Sequence, residues 1–63
     1  MFDDEFSKFY SDDGKRESTI YRHEDTIKVV FEDKMSKTSF FKYYRLINLA
    51  EDAAEDFVMY EAN

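Results

Sequence analysis

Four carboxylates near the C-terminus have a spacing that suggests a binding function. They are Glu51, Asp52, Glu55 and Asp56, at positions i, i+1, i+4 and i+5. A helix would carry them on one side, where like-charged i,i+4 pairs cost roughly a few tenths of a kcal/mol each. We interpret them as a docking face for a basic protein surface, extended by Met59 on the same side. The alternative is an ordinary solvated face, since acids in the first turn of a helix are also favoured by the helix dipole.

A second acidic segment begins the chain and is interleaved with aromatic residues. Its first three acids are Asp3, Asp4 and Glu5. Phe2, Phe6 and Phe9 have the i, i+4, i+7 spacing of one helical face, which predicts a short helix over residues 3–10. Its aromatic side either completes the core of this protein or binds in a groove of a partner. The three acids form a second candidate surface for partner binding.

Residues capable of catalysis or metal binding are few. The single histidine, His23, stands beside two acids, but the chain has no second histidine and no cysteine to complete a metal site. A general base also needs a nucleophile and an orienting partner, and the sequence contains no sign of either. Asp12 and Asp13 precede the only glycine, Gly14, without the spacing of a calcium loop, and indicate a turn. We therefore predict no enzymatic activity, no metal and no cofactor.

The charges of the chain are sorted into blocks. Residues 1–14 hold five acids and one base, residues 15–45 hold eight bases and five acids, and residues 46–63 hold five acids and no base. The formal net charge of −6 disfavours binding to a phosphate backbone, because nucleic-acid binding depends on cationic side chains. Tyrosines interleaved with lysines in the middle block leave a weak single-stranded nucleic-acid binder as a third alternative.

The length of 63 residues predicts a single domain, residues 1–63, with a thin core. The absence of cysteine excludes disulfides as a source of stability, so self-association as a homodimer is an alternative source. No apolar run approaches the ~18 residues that cross a bilayer, and the acidic start is unlike a secretory signal. We expect a cytoplasmic protein that does not bind membranes.

The middle of the chain has the alternation of β-strands, and the end has the periodicity of a helix. Strands are predicted over residues 18–23, 26–32 and 37–44. Asn48 is the predicted N-cap, with Glu51 completing a capping box. The apolar stripe of the helix consists of Leu49, Ala50, Ala53, Ala54, Phe57, Val58 and Tyr60. The predicted fold is α+β: a short N-terminal helix, a three-stranded antiparallel meander, and a C-terminal amphipathic helix packed on one sheet face.

The end of the chain resembles a known class of small proteins. Residues 37–60 read as an aromatic strand followed by the helical segment NLAEDAAEDFV, which is similar to the ending of small acidic accessory proteins of tailed bacteriophages. The resemblance implies a compact protein made during infection that binds and modulates a host protein. It covers little more than a third of the chain and carries over no functional residue.

These observations favour a non-enzymatic protein-binding module. Its sharpest form is a phage-type modulator or inhibitor of a host nucleic-acid-handling protein, acting through an acidic surface. The alternative is a small structural or self-assembling homo-oligomeric protein whose aromatic residues close the assembly.

Overall fold

A computed structural model describes residues 4–59, apart from the side chains of Asp4 and His23. The described chain forms a four-stranded antiparallel sheet and one C-terminal helix. The elements are β1 (Asp4–Tyr10), β2 (Arg16–His23), β3 (Thr26–Asp33), β4 (Thr38–Tyr44) and α1 (Ile47–Met59). The strand order is β1-β2-β3-β4, so each strand pairs with the next along the chain and β1 and β4 form the two edges.

The predicted N-terminal helix is wrong, and the sheet has four strands rather than three. Residues 4–10 form β1, which pairs with β2 and has a register shift at Phe6. This β-bulge interrupts the two-residue alternation of side chains along the strand, so two residues that are three apart, Phe6 and Phe9, share one face of the sheet. The same spacing places two residues on one face of a helix, which is why the segment has a helical pattern. A segment this short does not hold a helix alone, whereas pairing with β2 satisfies its backbone. Phe2 and Asp3 lie outside the described residues.

The alternation of the central strands divides the sheet into a helix-covered face and an open face. The buried cluster between α1 and the sheet consists of Ile20, Val29 and Phe31 from the strands and Ala50 and Ala54 from the helix. The strand residues that alternate with them, including Thr19 and Val30, belong to the open face. The covering helix lies mainly over β2 and β3.

A buried hydrogen bond joins α1 to the sheet. Ser18 is fully buried in β2, and its hydroxyl donates to the carbonyl oxygen of Ala54 at 2.9 Å. Ala50, Ala54 and Val58 form the buried inner side of the helix. Their small side chains allow the helix backbone to approach β2 closely enough for a serine to reach it.

The helix begins two residues earlier than its sequence signals indicate. The backbone N–H of Ala50 donates to the carbonyl oxygen of Leu46 at 3.2 Å, so Leu46 holds the N-cap position. The predicted capping box is therefore wrong, because Asn48 lies inside the first turn. Leu49, predicted in the apolar stripe, is instead 49% exposed. Tyr60 lies outside the described residues.

Candidate functional site

The side of α1 that faces away from the sheet carries a row of four exposed residues. They are Leu49, Asp52, Asp56 and Met59, which we call the outer ridge. Their spacings of three, four and three residues keep them on one face of a helix that turns about 100° per residue. Leu49 is 49% and Met59 71% exposed. Two apolar side chains thus bracket two carboxylates over about 15 Å of helix.

The structure separates the four predicted helix acids into two pairs. Asp52 and Asp56 belong to the outer ridge, whereas Glu51 and Glu55 lie on the side of the helix turned away from β4. We call these two glutamates the flank. Glu51 is half-buried, and Glu55 is exposed.

The helix dipole does not account for these acids. The first turn of α1 contains no acidic residue, because the helix begins at Ile47 and Glu51 comes after that turn. The dipole stabilises anions only within about one turn of the N-terminus. The pairs Glu51–Glu55 and Asp52–Asp56 therefore keep their i,i+4 repulsion without a local compensation from the helix end.

An open aromatic groove lies between α1 and β4, next to the outer ridge. Its floor contains Phe31, which stacks on Phe40 at 4.9 Å and meets Phe57 edge-on at 5.1 Å between ring centroids. The groove has a volume of about 780 Å³, and Asp56 and Met59 line its helix side. Phe40 remains 48% exposed because α1 lies mainly over β2 and β3 and covers β4 only in part.

The N-terminal acids lie apart from the outer ridge. Glu5 is exposed in β1 and pairs with Tyr21, on the open face of the sheet. Asp3 and the side chain of Asp4 lie outside the described residues. The structure therefore brings Asp52, Asp56 and Met59 together, places Glu51 and Glu55 on the flank, and separates Glu5 from all of them.

Cationic and aromatic residues are divided between the two faces of the sheet. On the open face the Nζ atom of Lys28 lies 4.8 Å from the ring centroid of Phe41. Lys42 lies on the other face, where it lines the aromatic groove. Glu17 is 3.3 Å from Lys34 and neutralises part of the positive charge. Arg16 lines the same groove and its guanidinium carbon lies 5.9 Å from the ring centroid of Phe57, so two cations adjoin the aromatic rings there. A weak single-stranded nucleic-acid binder therefore stays an alternative prediction.

The Asp12–Asp13–Gly14 segment forms the turn between β1 and β2. Asp13 accepts hydrogen bonds from the Ser11 hydroxyl at 2.6 Å and from the backbone N–H of Lys15 at 3.0 Å. These bonds, the Ser11 bond first, lower the pKa of Asp13 below its ordinary value of 3.8. Gly14 supplies the positive φ of 71° that the turn requires. The carboxylate of Asp13 is therefore occupied in holding the turn.

The residues predicted from the sequence to bind a partner include three of the outer ridge, Asp52, Asp56 and Met59, but not Leu49. The spacing of Leu49 places it on the same helix face, because it precedes Asp52 by three residues and completes the series 49, 52, 56 and 59. Its apolar character alone assigned it to the core. Phe40 was likewise predicted only as a strand residue, because nothing in its own strand indicates how far across the sheet the helix extends.

We found no matching family model, no matching curated protein and no matching solved structure for this chain. Among the described residues, no helix is long and apolar enough to cross a membrane. Residues 4–59, without the side chains of Asp4 and His23, contain no group of three or more histidine, aspartate or glutamate side chains arranged to hold a metal ion.

Proposed function

We propose that this chain is a non-enzymatic protein-binding module whose outer ridge docks on a basic protein surface. The observation that carries the proposal is the row Leu49, Asp52, Asp56 and Met59, in which two exposed apolar side chains bracket two exposed carboxylates along one helix face. A single exposed apolar residue needs no explanation. Two of them aligned on one ridge, beside an aromatic groove, form a larger apolar surface of the kind that binds other proteins.

The thin core of the chain strengthens this interpretation. A 63-residue domain buries only about 60% of its unfolded surface and has few apolar side chains to stabilise it. The inner side of α1 nevertheless has alanines at positions 50 and 54, while the larger Leu49 and Met59 are exposed. A sequence optimised for its own stability would place the larger side chains inside.

The partner chemistry follows from the charges. Asp52 and Asp56 stand one helical turn apart and lack an intervening base, so they fit a pair of lysine or arginine side chains. Leu49 and Met59 would enter apolar depressions on either side. Such an interaction associates faster at low ionic strength, because exposed charges are screened over about 8 to 10 Å at physiological salt.

In the phage-type version of this proposal, the partner is a host protein that handles nucleic acid. Proteins that handle nucleic acid present basic surfaces to a polyanion, and an acidic ridge competes for such a surface. The chain would then act as a modulator or inhibitor of a host protein by occupying its basic site. The support for this form is the sequence resemblance of residues 37–60 together with the charge of the ridge.

Two paired variants of the same helix test the proposal. Asp52→Asn with Asp56→Asn neutralises the ridge, and Glu51→Gln with Glu55→Gln neutralises the flank by the same charge. Each protein, immobilised through its C-terminus, is exposed to a bacterial lysate at low and at high salt, and the retained proteins are quantified by mass spectrometry. We expect a basic protein that the wild type and the flank variant retain and the ridge variant loses.

Both variants are expected to fold. Neutralising the exposed Asp52, Glu55 or Asp56 changes the free energy of unfolding by less than about 0.5 kcal/mol each, and glutamine keeps the shape of the half-buried Glu51. Thermal unfolding followed by circular dichroism checks this point. Equal loss of the retained protein in both variants would indicate attraction to net charge rather than to the ridge. Equal retention by all three proteins would contradict the proposed docking surface.

A further inference from the structure

The two edges of the sheet carry opposite charge. No described residue pairs with the outer side of β1 or of β4. Residues 4–13, which span β1 and most of the turn after it, hold four acids and one base. Residues 34–50, which span β4 and both of its flanks, hold four bases and no acid. Each edge therefore attracts the opposite edge of a second molecule and repels the same edge.

The β4 edge is also aromatic and accessible. Phe40, Phe41 and Tyr43 are each about half exposed, and every residue of the strand except Tyr44 is exposed. A long edge strand with apolar side chains and no proline is a template for pairing with another strand. Lys42 is the only charged residue within β4, so little opposes pairing along most of the strand.

The topology allows a second copy to continue the sheet. In the order β1-β2-β3-β4 with all neighbours antiparallel, β1 and β4 run in opposite directions. A copy displaced sideways in the plane of the sheet therefore brings its β1 antiparallel to β4 of the first copy, with both helices on the same face. Both strands are seven residues long. The row Phe9–Ser18–Phe31–Phe40 crosses the sheet at one level, so Phe9 of the second copy meets Phe40 of the first when the strand ends are level.

We propose that this protein assembles head to tail, with the β1 edge of one chain bound to the β4 edge of a second copy. At one end of the paired strands Glu5 stands level with Tyr43 of the next chain and lies diagonally opposite Arg45, two residues further along. At the other end the turn residue Asp12 approaches Lys37, which directly precedes β4. A two-fold pairing of β4 with β4, or of β1 with β1, would instead bring like charges together at both ends. This assembly pairs the sheet edges and does not require a partner to be bound at the outer ridge.

The β-bulge of β1 limits the length of the contact. A bulge at an edge interrupts regular pairing, and Phe6 lies in it. Residues 7–10 follow the bulge and keep a regular register with β2. The paired segment is therefore short, which makes the assembly weak, reversible and dependent on the charges at its two ends.

A charge exchange between the edges tests the proposal. The first variant, Glu5→Lys with Asp12→Lys, makes both ends of the β1 edge basic, and the second, Lys37→Glu with Arg45→Glu, makes both ends of the β4 edge acidic. The weight-average mass of each protein is measured by sedimentation equilibrium at low salt over a wide concentration range. We expect the wild type to gain mass with concentration and each variant alone to dissociate at least roughly tenfold more readily. An equimolar mixture of the two variants should regain the assembly of the wild type, because each basic edge then meets an acidic one.

The substituted side chains are exposed strand-end or turn residues, and circular dichroism verifies that each variant is folded. The neutral variant Glu5→Gln with Asp12→Asn provides a milder second test and should weaken assembly less than the charge reversal. A wild type that remains monomeric at every concentration would overturn the proposal. So would a variant that assembles alone as well as the wild type, or a mixture of folded variants that stays monomeric. The single variant Asp52→Asn, at the ridge aspartate that does not line the groove beside Phe40, should assemble as the wild type does, so failure of one proposal is distinguishable from failure of the other.

Discussion

The inner side of α1 stabilises the fold, whereas the outer ridge is available to bind a partner. The inner side consists of Ala50, Ala54 and Val58, which are buried against β2 and β3. The outer ridge contains larger apolar residues and two aspartates, all exposed to solvent. Small residues inside allow close approach of the helix to the sheet, and large residues outside add nothing to the core. Changes on the inner side should therefore alter folding, whereas changes on the outer ridge should alter binding alone.

The largest effect is expected on the covered side, at Phe57. This ring contacts Phe31 at 5.1 Å and Phe40 at 5.9 Å, and it links the helix to both β3 and β4. Phe57→Ala should lower the free energy of unfolding by about 3 kcal/mol, at the lower end of the range for aromatic residues because the ring is only partly buried. Urea denaturation measures the change, with the exposed Leu49→Ala as a control that should shift stability by less than about 0.5 kcal/mol. If Phe57→Ala and Leu49→Ala lower the free energy of unfolding equally, the covered side and the outer ridge of α1 do not differ in their contribution to stability.

A smaller effect, on binding alone, is expected from the apolar ends of the outer ridge. Leu49→Gln with Met59→Gln removes both exposed apolar side chains and leaves every carboxylate in place. The dissociation constant for the protein captured by the wild type should rise about tenfold or more, as for a pair of contact residues of moderate importance. Calorimetric titration provides the measurement, and thermal unfolding serves as the control for folding. If the affinity is unchanged, Leu49 and Met59 do not contribute to binding, and the docking surface consists of the carboxylates alone.

The smallest effect is expected at the turn beneath the end of the ridge. The Ser11 and Lys15 hydrogen bonds lower the pKa of Asp13, so the stability they contribute is present above its unfolded value and is lost as the pH falls through the folded value. Asp13→Asn should therefore reduce the change in stability between neutral pH and a pH below 3.8. The urea midpoint of the two proteins at both pH values measures this. If the urea midpoints of the two proteins change by the same amount between the two pH values, the Asp13 carboxylate does not stabilise the turn.

Part of the fold was predictable because its signals are local. The alternation of Ile27, Val29 and Phe31 marks the covered face of β3, and the two-residue connection after His23 makes a tight hairpin in which Glu24 has a φ of 53°. The C-terminal helix was predicted for the same reason. Its inner residues recur at intervals of four, and the structure has a helix there, Ile47–Met59.

The N-terminal segment and the helix start were not predictable from local patterns. The bulge at Phe6 gives β1 the spacing of a helix, and only the pairing with β2 identifies it as a strand. Leu46 holds the N-cap position without a capping side chain, whereas Asn48 has the residue type of a cap. In both places tertiary contacts override the local preference. Leu49 is exposed because of the way α1 packs on the sheet. The sequence of the helix alone does not determine that packing.

The most direct test of the central claim is a measurement of which carboxylates the partner covers. Carbodiimide labelling of the chain, free and bound to the protein that the wild type captures, is read residue by residue by mass spectrometry. We predict that labelling of Asp52 and Asp56 falls strongly on binding, whereas labelling of Glu55 on the same helix and of Glu32 on the open face is unchanged. Equal protection of Glu55, or protection of Glu32 with none at Asp52 and Asp56, would contradict the outer ridge as the docking surface.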